Sequence, residues 1–384
     1  MTITSDIQYV GVNDHKVDLF EGMYKVPQGM SYNSYVILDK KIAVMDTVDK
    51  EFAEEWLEHL QQVLGQRKPD YLIIQHMEPD HSANILCLLQ TYPEITLVGS
   101  AKAFEMMKNY FGTEFENRRM VVADEDKLSL GRHKLVFIGA PMVHWPEVML
   151  TYDMTDNVLF SADAFGRFGA LDYAQEWVEE ARRYYFGIVG KYGLFVQKLL
   201  HKVAEYDVQR ICPLHGPVLS QNIEYYVGIY DKWSRYEPEE EGVLLAYTSV
   251  YGNTKNAVLL LEKCLKARGC KVEVRDLARC DMAEAVAQAF RYSKLVLATT
   301  TYNAGIFPFM REYINWLTER YFCNRVIGFI ENGGWSIIAA KIMREMLEKS
   351  KGLDFADPTV RVVSSVKEEN MQQLEMLADV LCNN

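Results

Sequence analysis

Two patterns of hydrophobic and polar positions divide the chain. From residue 243 onward, short apolar runs alternate strictly with amphipathic stretches. The runs predict strands near 243–247, 271–275, 294–298, 325–330 and 359–364. The stretches between and after them predict helices near 254–268, 281–291, 308–320, 335–350 and 368–381. Five strand–helix repeats of this kind make a doubly wound parallel sheet. Before residue 234 the strand-like runs cluster instead, at 33–38, 42–46, 71–75, 95–98, 134–138 and 158–161. Helical patterns fall at 50–64, 82–91, 101–110 and 172–206, which suits a two-sheet core covered by helices. A chain of 384 residues is long for one core. The polar, acidic, Pro- and Gly-punctuated stretch from Ser234 to Gly242 is the natural linker. The expected domains are therefore 1–241 and 242–384.

The chemistry of the first half is concentrated in His76-Met77-Glu78-Pro79-Asp80-His81, directly after the apolar run Tyr71-Leu72-Ile73-Ile74. Four potential metal ligands (His76, Glu78, Asp80, His81) thus leave the end of a buried strand, where a rigid sheet can hold them. In an extended or tightly turned segment, residues two apart share a face, so His76, Glu78 and Asp80 can converge while His81 approaches from the next turn. Four donors on one loop exceed what a tetrahedral zinc takes from one segment and suggest two metals. Three later residues share the setting. His144 follows Leu135–Ile138, Asp163 follows Val158–Phe160, and His215 follows the run from Val208 to Cys212. Four of the eight histidines fall in this pattern; His15, His59, His133 and His201 read as surface or helix-face residues. Mixed imidazole and carboxylate donors without thiolate suit non-haem iron better than structural zinc. Ligand identity alone leaves manganese and zinc open. A single carboxylate such as Asp163 can bridge two ions about 3.5–4 Å apart.

In the second half, Val243-Leu244-Leu245-Ala246-Tyr247 runs into Thr248, Ser249, Val250, Tyr251, Gly252, Asn253 and Thr254, and then into a helix. A hydroxyl- and Gly-rich loop at a helix N-terminus binds anions through its backbone N–H groups and the helix dipole. Neither GxxxxGK[ST] nor GxGxxG is present, which argues against a nucleoside-triphosphate loop and a dinucleotide fingerprint. A phosphate monoester fits better. Two further loops end strands of the same sheet. One carries Thr301, Tyr302, Asn303 and Gly305, the other Asn332, Gly333, Gly334 and Trp335. Such loops converge on one crevice in an open parallel sheet. Tyr251, Tyr302 and Trp335 offer flat faces for an aromatic ring, and the amides can read its edge. A phosphate site beside an aromatic slot describes a pocket for flavin mononucleotide (FMN).

Composition adds the setting. The N-terminus lacks the basic-then-apolar pattern of a secretory signal, and no run approaches the roughly 18 apolar residues of a membrane span. The seven cysteines form no CxxC pair and read as reduced thiols of a cytoplasmic protein. That also leaves no iron–sulfur site in the chain. A net charge of −12 disfavours nucleic acid or an anionic membrane as partner.

Taken together, His76-x-Glu78-x-Asp80-His81, His144, Asp163 and His215, followed by the flavodoxin-like half, resemble the flavodiiron proteins, or A-type flavoproteins. Ser31-Tyr32-Asn33-Ser34-Tyr35 and His144-Trp145-Pro146 share the likeness. Glu78 stands where hydrolases of the same metallo-β-lactamase fold place a histidine. The resemblance implies a metallo-β-lactamase-like αββα sandwich followed by a flavodoxin-like parallel sheet, in the minimal two-domain form. It implies two non-haem irons, one held by His76, Glu78 and His144 nearer the flavin, the other by Asp80, His81 and His215, with Asp163 between them. It further implies reduction of dioxygen to water, of nitric oxide to nitrous oxide, or both. Electrons would come from an external carrier such as rubredoxin, and the assembly would be a head-to-tail homodimer, with a tetramer as an extension. Trp145, Glu147 and Tyr24 are candidates to orient ligands. The competing readings are a dinuclear zinc hydrolase with an appended electron-carrier domain, and a non-catalytic carrier that would leave seven convergent ligands idle.

Overall fold

The computed structural model describes residues 2–383. Contacts divide the chain into two compact units, Met1–Asp231 and Lys232–Asn384. The division falls ahead of the expected 241/242 boundary because the linker stretch is bonded into the second unit. Trp233 Nε1 donates to Glu239 at 2.6 Å, Glu239 N to Arg291 O at 2.9 Å, and Arg325 NH1 to Tyr236 O at 2.8 Å. Among the described residues no helix is long and apolar enough to cross a membrane.

The first unit is built on two sheets. One runs, in spatial order, Ile7–Tyr9, Tyr35–Ile37, Ala43–Met45, Tyr71–Ile73, Thr96–Gly99 and Arg119–Val121; the other runs Lys127–Ser129, Lys134–Gly139, Met149–Asp153, Val158–Phe160 and Arg210–Cys212. Alternate residues meet in one core: Tyr35, Ile37, Ala43, Met45, Tyr71 and Ile73 pack with Leu135, Phe137, Val158, Phe160 and Cys212. The intervening Val36, Val44, Leu72 and Val136 are buried as well. Strands covered on both faces read as continuous apolar runs, which is why these segments were visible without alternation. Short strands such as Arg119–Val121 and Lys127–Ser129, partly exposed, carry no such signal.

The helical pattern over 172–206 is not one helix. The chain forms helix Trp177–Tyr184, a π-helical turn Tyr185–Val189, a short 3₁₀ turn Gly190–Tyr192 and helix Gly193–Val203. Glycines at 187, 190 and 193 weaken the interior of a helix, and Tyr24 uses the gap. Its ring lies where a Cβ on Gly187 would come within 3.0 Å, and its hydroxyl donates to Gly187 O at 2.9 Å.

The second unit is a parallel sheet in the order Val272–Asp276, Glu240–Tyr247, Tyr292–Tyr302, Arg325–Gly333, with Leu353–Phe355 and Val360–Val363 both on the last strand. This is the 2-1-3-4-5 order of flavodoxin-like sheets, and it places the switch point after the first and third strands. The cysteines depart from expectation. Cys270, before the edge strand, and Cys382, in the last helix, form a disulfide across 112 residues. Only the fold brings them together, so nothing in their spacing announced the pair.

Candidate metal centre and flavin cleft

The segment after strand Tyr71–Ile73 is pinned before it turns. Asp46, buried and at φ 51°, accepts hydrogen bonds from Gln75 N (2.8 Å), Gln75 Nε2 (2.9 Å) and His76 N (3.3 Å). Burial pushes its carboxyl up to about 7 against these bonds. Pro79 then opens a one-turn helix, Pro79–Ser82, for which Glu78 is the preceding residue. That turn splits the six-residue motif. His76 and Glu78 face one side; Asp80 and His81 face the other. His76, Glu78 and Asp80 do not converge on a single point, as two-residue spacing suggested, because Asp80 joins His81 in the second group.

Two donor clusters result. Atoms of His76, Glu78, His144 and Asp163 lie within 4.8 Å of one another, and so do those of Asp80, His81 and His215. Asp163, a member of the first cluster, also faces two imidazoles of the second. Its Oδ2 is 3.2 Å from His76 Nε2 and 3.1 Å from His144 Nε2, whereas its Oδ1 is 3.6 Å from His81 Nε2 and 3.7 Å from His215 Nε2. In the first cluster Glu78 Oε2 is 3.2 Å from both His76 and His144 Nε2. In the second, Asp80 Oδ2 is 3.3 Å from both His81 and His215 Nε2, and the two ring nitrogens are 3.0 Å apart. Donors about 2.0–2.1 Å from a shared ion and roughly at right angles to each other would lie about 3 Å apart. Both oxygens of Asp163 and of Asp80 are buried without a hydrogen-bonding partner, a costly state for an anion unless a cation satisfies it. The donors therefore fit two metal ions.

The opposite ring nitrogens are held by other groups. His76 Nδ1 meets Glu147 Oε1 at 2.8 Å, and His215 Nδ1 meets Ser31 O at 2.7 Å. These partners direct both Nε2 atoms inward. The Trp145 ring stands edge-on to His76 with centroids 5.2 Å apart. Tyr24, by contrast, gives its hydroxyl to Gly187. Charge is balanced locally. Burial raises the carboxyls of Asp163 and Glu78, but the imidazoles of His76 and His144 outweigh it and hold both below the usual carboxylate range. His144 is opposed by burial yet rises to about 9 through Asp163 and Glu78, while burial takes His81 down to about 4. A cavity of about 350 Å³ has Glu78 and Asp80 in its wall, together with Phe20, Glu21 and Tyr32.

In the second unit a cleft of about 680 Å³ lies at the carboxyl ends of the strands, the size of a small-molecule site. Ser249, Val250, Tyr251, Asn253, Thr254, Thr301, Tyr302, Asn303, Asn332, Gly333, Gly334 and Trp335 line it as expected. Thr248 does not. It is buried beneath the loop and shares a 2.6 Å hydrogen bond with Thr299. Gly252 and Gly305 also stay out of the wall and shape the loops instead. Gly252 takes φ 90° just before helix Asn253–Ala267, and Gly305 pairs with Tyr302 in a hairpin. Tyr251 and Trp335 are 93% and 84% exposed, an unfavourable state for large rings that have no cover. Among the described residues no charged side chain lines the cleft, so an anion there would be held by hydroxyls, backbone N–H groups and the helix end.

Residues 30–216 match the family model described as ODP family beta lactamase. The nitric oxide reductase of Moorella thermoacetica is 27% identical over 383 residues, covering 97% of this chain and 96% of that protein. Among solved structures, the rubredoxin oxygen:oxidoreductase of Desulfovibrio gigas superposes with a TM-score of 0.92 at 25% identity, over 100% of this chain and 98% of that one. The flavodiiron protein of Giardia intestinalis gives the same fold at TM-score 0.92 and 24% identity, over 99% and 97% of the two chains. The chain belongs to the flavodiiron protein family. As a member it is an oxidoreductase.

Some working parts of this family member were not legible beforehand. Asp46, which pins the metal loop, is signalled only by an acid at the end of an apolar run. Thr300, Ala304, Ser336, Ile338 and Ser364 complete the cleft wall. Asn303, Ala304, Ser336 and Ser364 all have positive φ, backbone strain of the kind that collects at binding sites.

Proposed function

We propose that this chain binds two non-haem irons and one FMN and reduces dioxygen to water, nitric oxide to nitrous oxide, or both. The observation that carries the reading is Asp163, whose two buried oxygens face different ligand clusters. His76, Glu78 and His144 would hold one iron, Asp80, His81 and His215 the other, and Asp163 would bridge them. Ser249, Asn253 and Thr254 would take the FMN phosphate at the helix end, with Tyr251, Tyr302 and Trp335 along the ring. When bound, two ferrous ions and a reduced flavin together supply the four electrons that dioxygen needs to become water. The chain's own task is positional. Glu147 and Ser31 fix the imidazole orientations, Asp46 holds the loop, and the cavity beside Glu78 and Asp80 admits a small gas. The carboxylates keep the site hard and anionic.

Electrons would come from a small external carrier, with rubredoxin the first candidate, since one structural neighbour is named for it. We further propose a head-to-tail homodimer, which could pair into a tetramer, in which each flavin unit serves the partner's metal cluster. One isologous interface then builds two equivalent sites. The first test is metal and flavin analysis of anaerobically purified protein, followed by gas consumption with reduced rubredoxin. Two irons and one FMN per chain with turnover of either gas are expected. Zinc with hydrolytic activity would replace the proposal with the hydrolase reading. For the dimer, a His144→Ala chain is mixed with one altered at Asn253 and Thr254. Regained activity is expected, and proven heterodimers without it would refute transfer across the interface.

A further inference from the structure

Asp80 is 8% exposed, and both its oxygens are buried without a hydrogen-bonding partner. It also lines the cavity of about 350 Å³ beside the metal centre, which His81 and His215, buried behind it, do not. Glu78 lines the same cavity, so each donor cluster meets it through one carboxylate. Asp14, Glu21 and Asp49 bring the carboxylates in its wall to five, and among the described residues no lysine, arginine or histidine lines it.

The acids are graded by depth. Glu21 is exposed, Asp49 half-buried, and Asp14 and Asp80 are buried. Asp14 Oδ1 accepts from Lys16 N at 2.7 Å and Val17 N at 3.1 Å, and Asp49 Oδ1 accepts from Glu51 N at 2.9 Å. Those bonds fix the carboxylates without cancelling their charge. The charges are close enough to act on one another. Burial raises the Asp49 carboxyl, the bond from Glu51 N opposes it, and the charges of Asp80 and Asp14 raise it further. The Tyr32 hydroxyl, in the same wall, is raised by burial and then by Asp80, Asp49 and Asp14. A cleft lined by one sign of charge concentrates counter-ions and speeds their arrival by about 10- to 1,000-fold. Among the described residues Asp14, Glu21 and Asp49 belong to no compact donor group, so an ion beside them keeps its water and moves on. Asp80, with two buried and unpartnered oxygens, is the acceptor at the inner end.

We infer that this acid-lined cavity is the entrance through which divalent metal ions load the centre. Asp14, Glu21 and Asp49 gather the hydrated ion, and Asp80 takes it into the second cluster. The inference rests on the two-metal reading above.

The test uses the full chain, loaded with FMN and stripped of metal, with cobalt(II) as probe because its visible absorption reports nitrogen and oxygen ligation. Loading is followed by stopped flow and release by chelator. In Asp14→Asn/Asp49→Asn both acceptor oxygens remain and two charges are lost. At about 10 mM salt this variant should load roughly 10-fold more slowly, and the difference should shrink by about 150 mM as screening sets in. Charges that steer entry act on the association rate, whereas lost ligands act on release. Release should therefore stay near the unaltered rate, with two cobalt ions per chain at saturation in both proteins. Glu348→Gln/Asp354→Asn removes the same charge from exposed positions of the second unit and should load normally. Unchanged loading in Asp14→Asn/Asp49→Asn overturns the entrance, as does an effect confined to faster release or an equal slowing in the control. Should the double variant fail to fold, Asp49→Asn alone carries the same comparison. Failure of the unaltered chain to bind cobalt would instead overturn the two-metal reading, and this inference with it.

Discussion

Glu147→Gln isolates the contribution of the group behind His76. Glu147 is 2% exposed, and its Oε1 accepts from both His76 Nδ1 and Met77 N at 2.8 Å. Its Oε2 is buried without a partner. Glutamine can keep an acceptor at Oε1 and nearly the same shape. It removes the charge that strengthens the hold on the imidazole and places an NH₂ where no acceptor waits. Loss of such an orienting group typically weakens metal binding 10- to 100-fold, equivalent to about 1.4–2.8 kcal/mol. The stranded donor adds a fold penalty of about 1–3 kcal/mol. Chelator competition under anaerobic conditions should show one of two irons released 10- to 100-fold more readily, with FMN still at one per chain. Glu147→Ala, which strands His76 Nδ1 and Met77 N as well, should be worse. Unchanged iron affinity in Glu147→Gln would mean that His76 is not held through Glu147, or that it is not a ligand.

Asp163→Asn should abolish gas reduction and lower iron content, because an amide offers one oxygen where two are needed; full activity with both irons would refute the bridge. Thr254→Ala should weaken FMN binding by about 1–3 kcal/mol, or about 5- to 150-fold, with the irons retained; flavin titration of the apoprotein measures it. His133 tests a group outside the two proposed donor clusters. Burial lowers its pKa, but the hydrogen bond to Asp153 at 2.8 Å and the contact with Asp6 raise it overall. A raised imidazole contributes stability that is full below its unfolded pKa, about 6.5, and is lost as pH rises through the folded value. The stability gap between the unaltered protein and His133→Asn should therefore be larger at pH 6 than at pH 9 in urea melts; a gap independent of pH would show that His133 is not charged in the fold.

His133 also marks the limit of reading histidines by context. It looked like a surface residue, yet it is buried in a carboxylate network. Its partner Asp153 is twenty residues away, and no local pattern reports that pairing. The seven candidate metal donors stood out for the opposite reason. Each follows a strand whose burial on two faces leaves an unbroken apolar run, and the motif packs four of them into one loop.

What the chain determined by itself was the order of its elements, the parallel sheet of the second half, and the chemical types of the donors. Those depend on local burial and spacing, which a linear pattern records. The tertiary structure decided how the donors divide. One turn beginning at Pro79 sends His76 and Glu78 to one cluster and Asp80 and His81 to the other, and the fold sets Asp163 between them. It also decided which loop residues face the cleft and which, like Thr248, support it from below. It joined Cys270 to Cys382 across 112 residues. These are long-range encounters between side chains, fixed by packing, and no short stretch of sequence contains them.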